Sequence, residues 1–200
     1  MSTPFTIRQL AGRPATPEPL SRSVLIIVDA QQTYLGGPLQ LDGVAPALDE
    51  CARLLDRARA AGAPVIHVQH DGGPGSLFDI RADSGAIASQ VAPRAGEAVV
   101  VKQHGNAFIG TDLAARLQAL GAPRQLVVAG FMTHNCVNST ARGAVNLGYA
   151  VCVPASATAT RALPAPDGGV VPAAEVQRAN LAGLADVFAL VVARGDDIPD

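Results

Sequence analysis

Residues 127–137 read VVAGFMTHNCV, and this stretch decides how the rest of the chain is arranged. Its apolar start is typical of a buried strand, Gly130 breaks the apolar run, and Cys136 stands where the next segment begins. From Val137 onward, small and apolar residues recur at helical spacing, which predicts a helix with Cys136 at its amino terminus. Free N–H groups and the helix dipole favour a thiolate there. The alternative is that Cys136 is a small buried side chain, the common fate of a free cysteine.

The composition indicates one globular domain. The chain has 200 residues, of which 48% are hydrophobic and 16% charged, and its formal net charge is −2. So weak a charge gives no reason to expect nucleic acid or a membrane as a partner. No apolar run reaches the roughly 18 residues that span a bilayer, and the first residues lack the pattern of a signal peptide, so a cytoplasmic protein is predicted. Cys51 and Cys152 lie in apolar patterns and are predicted core residues, without a disulfide framework or structural zinc.

Strand-like and helix-like patterns alternate along the chain. Residues 1–22, rich in proline and polar side chains, are predicted to form an amino-terminal arm, and residues 23–200 the domain. Strands are predicted at residues 24–28, 64–68, 98–101, 127–129, 149–153 and 187–192. Helices are predicted at residues 45–61, 112–120 with Thr111 as the cap, and 173–184, besides the one after Cys136. Such alternation indicates an α/β fold in which helices cover both faces of a six-stranded, mainly parallel sheet.

Three chemically capable side chains follow predicted strands. Asp29 follows the first strand, Lys102 the third, and Cys136 comes a few residues after the fourth. Because ligands bind beyond the carboxyl ends of the strands in an open α/β sheet, these side chains are predicted to share one crevice. A carboxylate there can take the thiol proton, and an ammonium lowers the pKa of the thiol. Singly, Asp29 could only cap a turn and Lys102 could be a solvated charge, but their joint placement favours a site.

Four segments resemble those of the isochorismatase-like cysteine hydrolases: IIVDAQQTYL, VIHVQHDG, VVVKQHGNAFIGTDL and LVVAGFMTHNCVNSTARGAVNLGYAV. The resemblance extends from Val24 over nearly the whole remaining chain. It implies a three-layer α/β/α sandwich and a triad of Asp29, Lys102 and Cys136. In such enzymes the thiolate attacks an amide or imide carbonyl, ammonia or an amine leaves, and water hydrolyses the thioester. Asp29 would then accept and donate protons, and Lys102 would hold the charged pair.

The resemblance also implies details around the triad. These are a cis peptide bond between Phe131 and Met132, and an oxyanion hole made by the N–H groups of Met132 and Cys136. Side chains beside the triad in the sequence are expected to line the substrate pocket: Gln31, Tyr34, Leu35, His70, Phe108 and Thr133. His67, which alternates with apolar neighbours, is predicted to be structural. Gln177 stands where members of the family often carry a histidine.

Neither a metal nor another cofactor is expected. The nicotinamidase branch binds a metal through an Asp-x-His pair and further histidines, but residues 30–42 contain no histidine. The four histidines of the chain, at positions 67, 70, 104 and 134, show no ligand spacing. Metal-dependent nicotinamide hydrolysis is therefore disfavoured.

The presence of Cys136 favours carbonyl chemistry, so the first prediction is an amidohydrolase acting on a small-molecule substrate. The alternatives are an isochorismatase-type vinyl ether hydrolase, since some of these lack the cysteine, and a non-catalytic oligomeric binding protein of the same fold. Alanine-rich helices and a surface with little charge predict a homo-oligomer. The arm and the loop at residues 162–172 are candidates for reaching a neighbour or covering the pocket.

Overall fold

A computed structural model describes residues 4–121 and 123–200 of the chain. Its helices are α1 (Ile7–Leu10), α2 (Val44–Ala60), α3 (Leu113–Ala119), α4 (Asn138–Asn146) and α5 (Ala173–Val187). Its strands are β1 (Ser23–Val28), β2 (Val65–His70), β3 (Ala98–Lys102), β4 (Gln125–Phe131), β5 (Ala150–Pro154), β6 (Thr158–Ala159), β7 (Leu163–Pro164), β8 (Val170–Val171) and β9 (Leu190–Val192). None of the helices in these residues is long and apolar enough to cross a membrane.

The main sheet is parallel, with the strand order β3-β2-β1-β4-β5-β9 and with β6 added beside the end of β4. Alternate residues of β1 face opposite layers. Leu25 and Ile27 pack on the side of α2, whereas Ile26 and Val28 pack on the side of α3 and α4. This three-layer α/β/α sandwich confirms the predicted fold class. The strand order reverses between β1 and β4, so a crevice is expected beyond the carboxyl ends of these two strands.

Gly130 lies inside β4 and does not end it, which corrects the predicted strand boundary. Its φ is 112°, a backbone conformation that residues with a side chain rarely adopt. A Cβ atom at this position would lie 2.1 Å from the Val28 carbonyl oxygen. Glycine therefore lets β4 approach β1 at the ends that carry the predicted site.

Three other boundaries differ from the prediction. Helix α5 continues to Val187, with the Phe188 N–H still donating to the Leu184 carbonyl at 2.9 Å, so the last strand is only Leu190–Val192. Helix α3 begins at Leu113 with Asp112 at the N-cap position, and the Thr111 hydroxyl accepts from the Leu113 N–H at 3.3 Å while it donates to the Ala107 carbonyl. The predicted loop at residues 162–172 contains the small antiparallel pair β7–β8.

The predicted arm is tied to the domain at several points, although its first three residues lie outside the described ones. The Ile7 N–H donates to Asp186 Oδ1 of α5 at 2.9 Å. Leu20 is fully buried in the core between the sheet and α2, which corrects its assignment outside the core. Phe5 and Leu10, by contrast, are 73% and 76% exposed.

Candidate active site

Asp29, Lys102 and Cys136 meet at the carboxyl edge of the sheet. The ammonium nitrogen of Lys102 lies 2.7 Å from Asp29 Oδ2 and 3.3 Å from Cys136 Sγ. All three residues are buried, with exposed fractions of 0%, 1% and 5% for Asp29, Lys102 and Cys136. The fold thus brings a carboxylate, an ammonium and a thiol from three strand ends into one contact group.

The backbone at Asp29 turns sharply at the end of β1. Its φ is 47°. Among the described residues other than glycine, only Asp29 has a positive φ. Such a conformation costs on the order of 1 kcal/mol, although aspartate tolerates it better than most residues. Two hydrogen bonds hold the turn, from the Asp29 N–H to the Val68 carbonyl at 2.9 Å and from the Gln31 N–H to the Asp29 carbonyl at 2.8 Å. The carboxylate is therefore fixed at the edge of the sheet.

Cys136 lies in a π-helical turn, Thr133–Val137, that continues directly into α4. The Met132 carbonyl accepts hydrogen bonds from the N–H groups of Asn135 and Val137 at 3.1 and 3.2 Å. The peptide bond between Phe131 and Met132, just before this turn, is cis. The thiol thus sits two residues before α4, between the end of β4 and the helix.

Burial dominates the electrostatics of the site. It raises the pKa of the Asp29 carboxyl group, against the opposing effect of Lys102. Burial, and then the negative charge of Asp29, raise the pKa of the Cys136 thiol to about 12, again against Lys102. Lys102 lowers this pKa, as expected for a neighbouring cation, but desolvation by burial outweighs its effect. The thiol carries its proton at neutral pH, and a neighbouring base has to remove it.

His70 belongs to this group through Lys102. Its Nδ1 lies 3.2 Å from the Lys102 ammonium nitrogen, and its ring meets the edge of Phe78 at a centroid distance of 5.0 Å. The residue is half-buried at the end of β2. His70, predicted as a pocket residue, therefore contacts the lysine of the predicted triad.

Gln31 was predicted to line the pocket, but its side chain is fully engaged within the protein. It donates to the carbonyls of His70 and Gly85 at 3.0 and 2.8 Å, and it accepts from the His70 N–H at 2.9 Å. Gln31 is completely buried. These contacts occupy both amide hydrogens, so Gln31 joins the ends of β1 and β2, and its contact with a substrate stays a prediction.

The remaining predicted pocket residues divide into two groups. Tyr34 is buried beside the triad, and its pKa is raised by burial and by the charges of Asp29 and Cys136. Thr133 is fully buried, and its hydroxyl donates to the Ala159 carbonyl at 3.0 Å. Leu35 packs on the core beside α2, and Phe108 stacks on Tyr149 just before β5, at a centroid distance of 6.4 Å. Thr133 is thus directed to the protein interior, whereas Leu35 and Phe108 are half-buried, and the substrate-binding role of all three stays a prediction.

Arg161 was missed by the sequence analysis. Its Nε atom is buried and has no hydrogen-bond partner among the described residues. Burial, and then the positive charge of Arg161, lower the pKa of His134, and the same charge opposes the raised pKa of Tyr34, which lies beside the triad. Arg161 follows β6, a strand of two residues that is too short to show in the sequence pattern. Arg161 thus has a guanidinium nitrogen without a partner among the described residues, and its charge acts on Tyr34.

Two further residues have contacts away from the triad. His67 is 1% exposed, and its Nε2 lies 2.9 Å from Glu97 Oε2, as befits the structural role predicted for it. Gln177 donates to the Thr158 hydroxyl at 2.8 Å and borders a cavity of about 620 Å³ between α2 and α5. Within residues 4–121 and 123–200, no group of three or more His, Cys, Asp or Glu side chains is arranged to hold a metal ion.

A Rossmann-like sheet with a buried thiol, carboxylate and ammonium at its switch point defines an α/β protein of the hydrolase type. The Isochorismatase domain model matches residues 23–194, which is most of the chain. The protein therefore belongs to the isochorismatase family of hydrolases.

Individual relatives agree with this assignment. The crystal structure of an isochorismatase from Pseudomonas putida KT2440 is similar with a TM-score of 0.93 and 43% identity, over 98% of this chain and 100% of that one. The secreted isochorismatase effector Isc1 of Verticillium dahliae is 34% identical over 96% of this chain and 98% of its own. A ureidoacrylate amidohydrolase of Stutzerimonas stutzeri is 35% identical over 72% of this chain and 74% of its own.

Proposed function

We propose that the protein is a cysteine-dependent amidohydrolase that cleaves a C–N bond of a small molecule through a thioester. The observation that carries the proposal is the position of Lys102, whose ammonium nitrogen contacts Asp29 at 2.7 Å and Cys136 at 3.3 Å. The similarity to a ureidoacrylate amidohydrolase supports the same chemistry. Cys136 is assigned as the nucleophile, Asp29 as the acid and base, and Lys102 as the charge partner.

The first half-reaction forms the thioester. Asp29 takes the thiol proton as Cys136 Sγ bonds to the carbonyl carbon, and Lys102 stabilises the resulting charges. The N–H groups of Met132 and Cys136 are assigned to the oxyanion of the tetrahedral intermediate. Asp29 then gives its proton to the leaving nitrogen, and the C–N bond breaks.

The second half-reaction restores the enzyme. Water adds to the thioester carbonyl and gives a proton to Asp29. The C–S bond then breaks, and the thiolate recovers the proton from Asp29. Burial suits both steps, because it raises the pKa of the Asp29 carboxyl group and so makes it a better base and a proton donor closer to neutral pH.

Arg161 supports a substrate that carries a carboxylate. A buried guanidinium Nε without a partner is costly, and an anionic oxygen from a substrate would satisfy it. Ureidoacrylate, in the name of the relative, is itself a carboxylate. We therefore expect a small amide or ureido compound with an acidic group placed towards Arg161.

Cleavage of a vinyl ether, as in isochorismatases proper, is the second candidate. It is favoured by the raised pKa of Asp29, because a protonated carboxyl group could donate to the ether system without any nucleophile. The two functions differ in their need for Cys136, which is essential for a thioester and dispensable for acid-catalysed cleavage.

The test is ammonia release from a panel of carboxylated amides, ureido acids, neutral amides and nicotinamide, with a chelator present and with isochorismate assayed in parallel. Cys136→Ala is compared with Cys152→Ala, because Cys152 is also a buried free cysteine but lies in the core. Release that persists in Cys152→Ala and is lost in Cys136→Ala supports the proposal. Full release by Cys136→Ala, or turnover of isochorismate alone, would reject it.

The proposal also covers the cellular compartment and the oligomeric state of the enzyme. All three cysteines are free and buried, which suits the reducing cytoplasm. The relative from Verticillium dahliae is named as secreted, so fractionation of the producing cell is the direct test. We also propose a homo-oligomer acting on a small molecule without nucleic acid or membrane, which light scattering during size exclusion tests.

A further inference from the structure

The ammonium group of Lys102 has three neighbours for its three protons. Asp29 Oδ2 lies at 2.7 Å, Cys136 Sγ at 3.3 Å and His70 Nδ1 at 3.2 Å. Lys102 is only 1% exposed, so water does not replace any of these contacts cheaply. A buried N–H without an acceptor costs roughly 1–3 kcal/mol, and more when the group is charged. The third acceptor therefore matters for where the ammonium sits.

His70 is itself held on two sides. The Gln31 amide donates to the His70 carbonyl at 3.0 Å and accepts from the His70 N–H at 2.9 Å. The Phe78 ring lies against the imidazole at 5.0 Å, almost at right angles to it. To accept from the ammonium, Nδ1 must carry its lone pair, which leaves the imidazole proton on Nε2. Backbone and ring together fix this nitrogen towards Lys102.

We infer that His70 is a positioning residue that holds the Lys102 ammonium between Asp29 and Cys136 by accepting its third hydrogen bond. The inference rests on the proposed function, in which Lys102 stabilises the thiolate and the carboxylate. Without the acceptor at Nδ1, one proton of Lys102 stays unpaired, and the ammonium shifts away from the sulfur to find a partner. The thiol is then harder to ionise.

The inference predicts that the reactivity of Cys136 decreases at acidic pH, when His70 gains a proton. Burial, and then the charge of Lys102, lower the pKa of His70. The charge of Asp71 opposes this shift, and that of the nearby His104 lowers the pKa further. His70 is therefore neutral at pH 7. As the pH falls through its pKa, Nδ1 gains a proton, the acceptor is lost, and an imidazolium faces an ammonium across about the same distance. The reactivity of the Cys136 thiol, which depends on Lys102, should therefore fall as His70 is protonated.

Two amide variants separate positioning from packing. In His70→Asn the side-chain oxygen can take the place of Nδ1, whereas in His70→Gln the amide extends to the place of Nε2 and does not reach Lys102. Both variants are polar and neither titrates. The control is His104→Asn, which makes the same replacement at an exposed histidine close enough to act on His70.

The readout is the rate at which a small thiol reagent, methyl methanethiosulfonate, modifies Cys136 between pH 5 and 9, followed by peptide mass. We expect His70→Gln to slow modification roughly tenfold at pH 7, His70→Asn to recover most of the rate, and His104→Asn to match the wild type. Because the thiolate fraction of Cys136 itself decreases as the pH falls, the rate decreases towards acid in every variant. The additional fall through the pKa of His70 should persist in His104→Asn and be absent from His70→Asn. Melting temperatures measured for each variant show whether a changed rate comes from unfolding of the protein.

Equal rates for the asparagine and glutamine variants, or an additional acidic fall in His70→Asn as large as in the wild type, would overturn the inference. This assay needs no substrate. If His70 governs thiol reactivity but no amide is hydrolysed, the proposed function fails and the positioning role stands. If an amide is hydrolysed, kcat should fall in His70→Gln with little change in KM.

Discussion

Asp29 and Lys102 form an ion pair in which the exposed fraction of both side chains is 0%, with 2.7 Å between Oδ2 and Nζ. Removal of one partner leaves the other charge buried and incompletely compensated. We therefore expect Asp29→Asn and Lys102→Met each to lower the free energy of unfolding by about 3–5 kcal/mol. Urea denaturation of both variants measures this.

The double variant provides the internal control. With both charges gone, neither is left unpaired, so Asp29→Asn combined with Lys102→Met should cost clearly less than the sum of the single changes. Additive costs would mean that the two groups are not coupled in the folded protein.

Gly130 should be nearly irreplaceable. A Cβ there would lie 2.1 Å from the Val28 carbonyl oxygen, and the φ of 112° adds strain. We expect Gly130→Ala to lose at least about 3 kcal/mol, or to be insoluble. Gly168→Ala is the matched control, because Gly168 also has a positive φ, 87°, but open space around its Cα. It should cost only about 1–2 kcal/mol, and equal costs at the two positions would show that the contact with Val28 is unimportant.

Arg161 should determine affinity and not turnover. If its unpaired Nε receives a substrate carboxylate, Arg161→Met should raise KM at least about tenfold for a carboxylated amide and leave kcat within a few-fold. The KM of a neutral amide of the same size should hardly change. Arg178→Met, at an exposed position of α5, is the control. A loss that is equal for charged and neutral substrates would argue against a carboxylate contact.

Glu97 should make stability depend on acid. Its hydrogen bonds with Arg59, at 2.7 and 2.9 Å, are the first cause of a pKa lowered to about 2. Because the folded pKa lies below the unfolded value of about 4.5, the stabilisation is complete at higher pH and disappears as the pH falls through about 2. The wild type should exceed Glu97→Gln by on the order of 1–2 kcal/mol at pH 7 and by much less near pH 2.5.

Urea denaturation at several pH values between 2.5 and 7 follows this difference. Glu175→Gln, at an exposed position in the first turn of α5, is the control and should show a small difference throughout. A constant gap between the wild type and Glu97→Gln across the range would contradict the assigned cause.

The sequence predicts the fold well because the strands buried on both faces are continuous apolar runs. The run before Asp29 and the one before Gly130 are visible at once, and their order places Asp29 and Cys136 at neighbouring ends. Lys102 follows from the same rule. These predictions need only local pattern and the topology of parallel sheets, and both are encoded within short segments.

The side chains around the triad were harder to predict, because sequence proximity does not determine direction. Gln31 and Thr133 lie close to Asp29 and Cys136 in the chain, yet both turn to backbone carbonyls of other segments. Arg161 follows the two-residue strand β6, which leaves no pattern in the sequence. The raised pKa of Cys136 was equally hidden, since burial depends on every layer of the fold.

Gln31 also ties down the long connection that follows β2. Its amide donates to the carbonyls of both His70 and Gly85, and Gln69 donates to that same Gly85 carbonyl at 2.8 Å. The segment between these two anchors thus leaves and re-enters the structure at fixed points. Changes in its length or sequence that keep the Phe78 ring against His70 need not disturb Asp29 or Lys102. This connection is therefore a natural place to graft new binding loops onto an unaltered reaction centre.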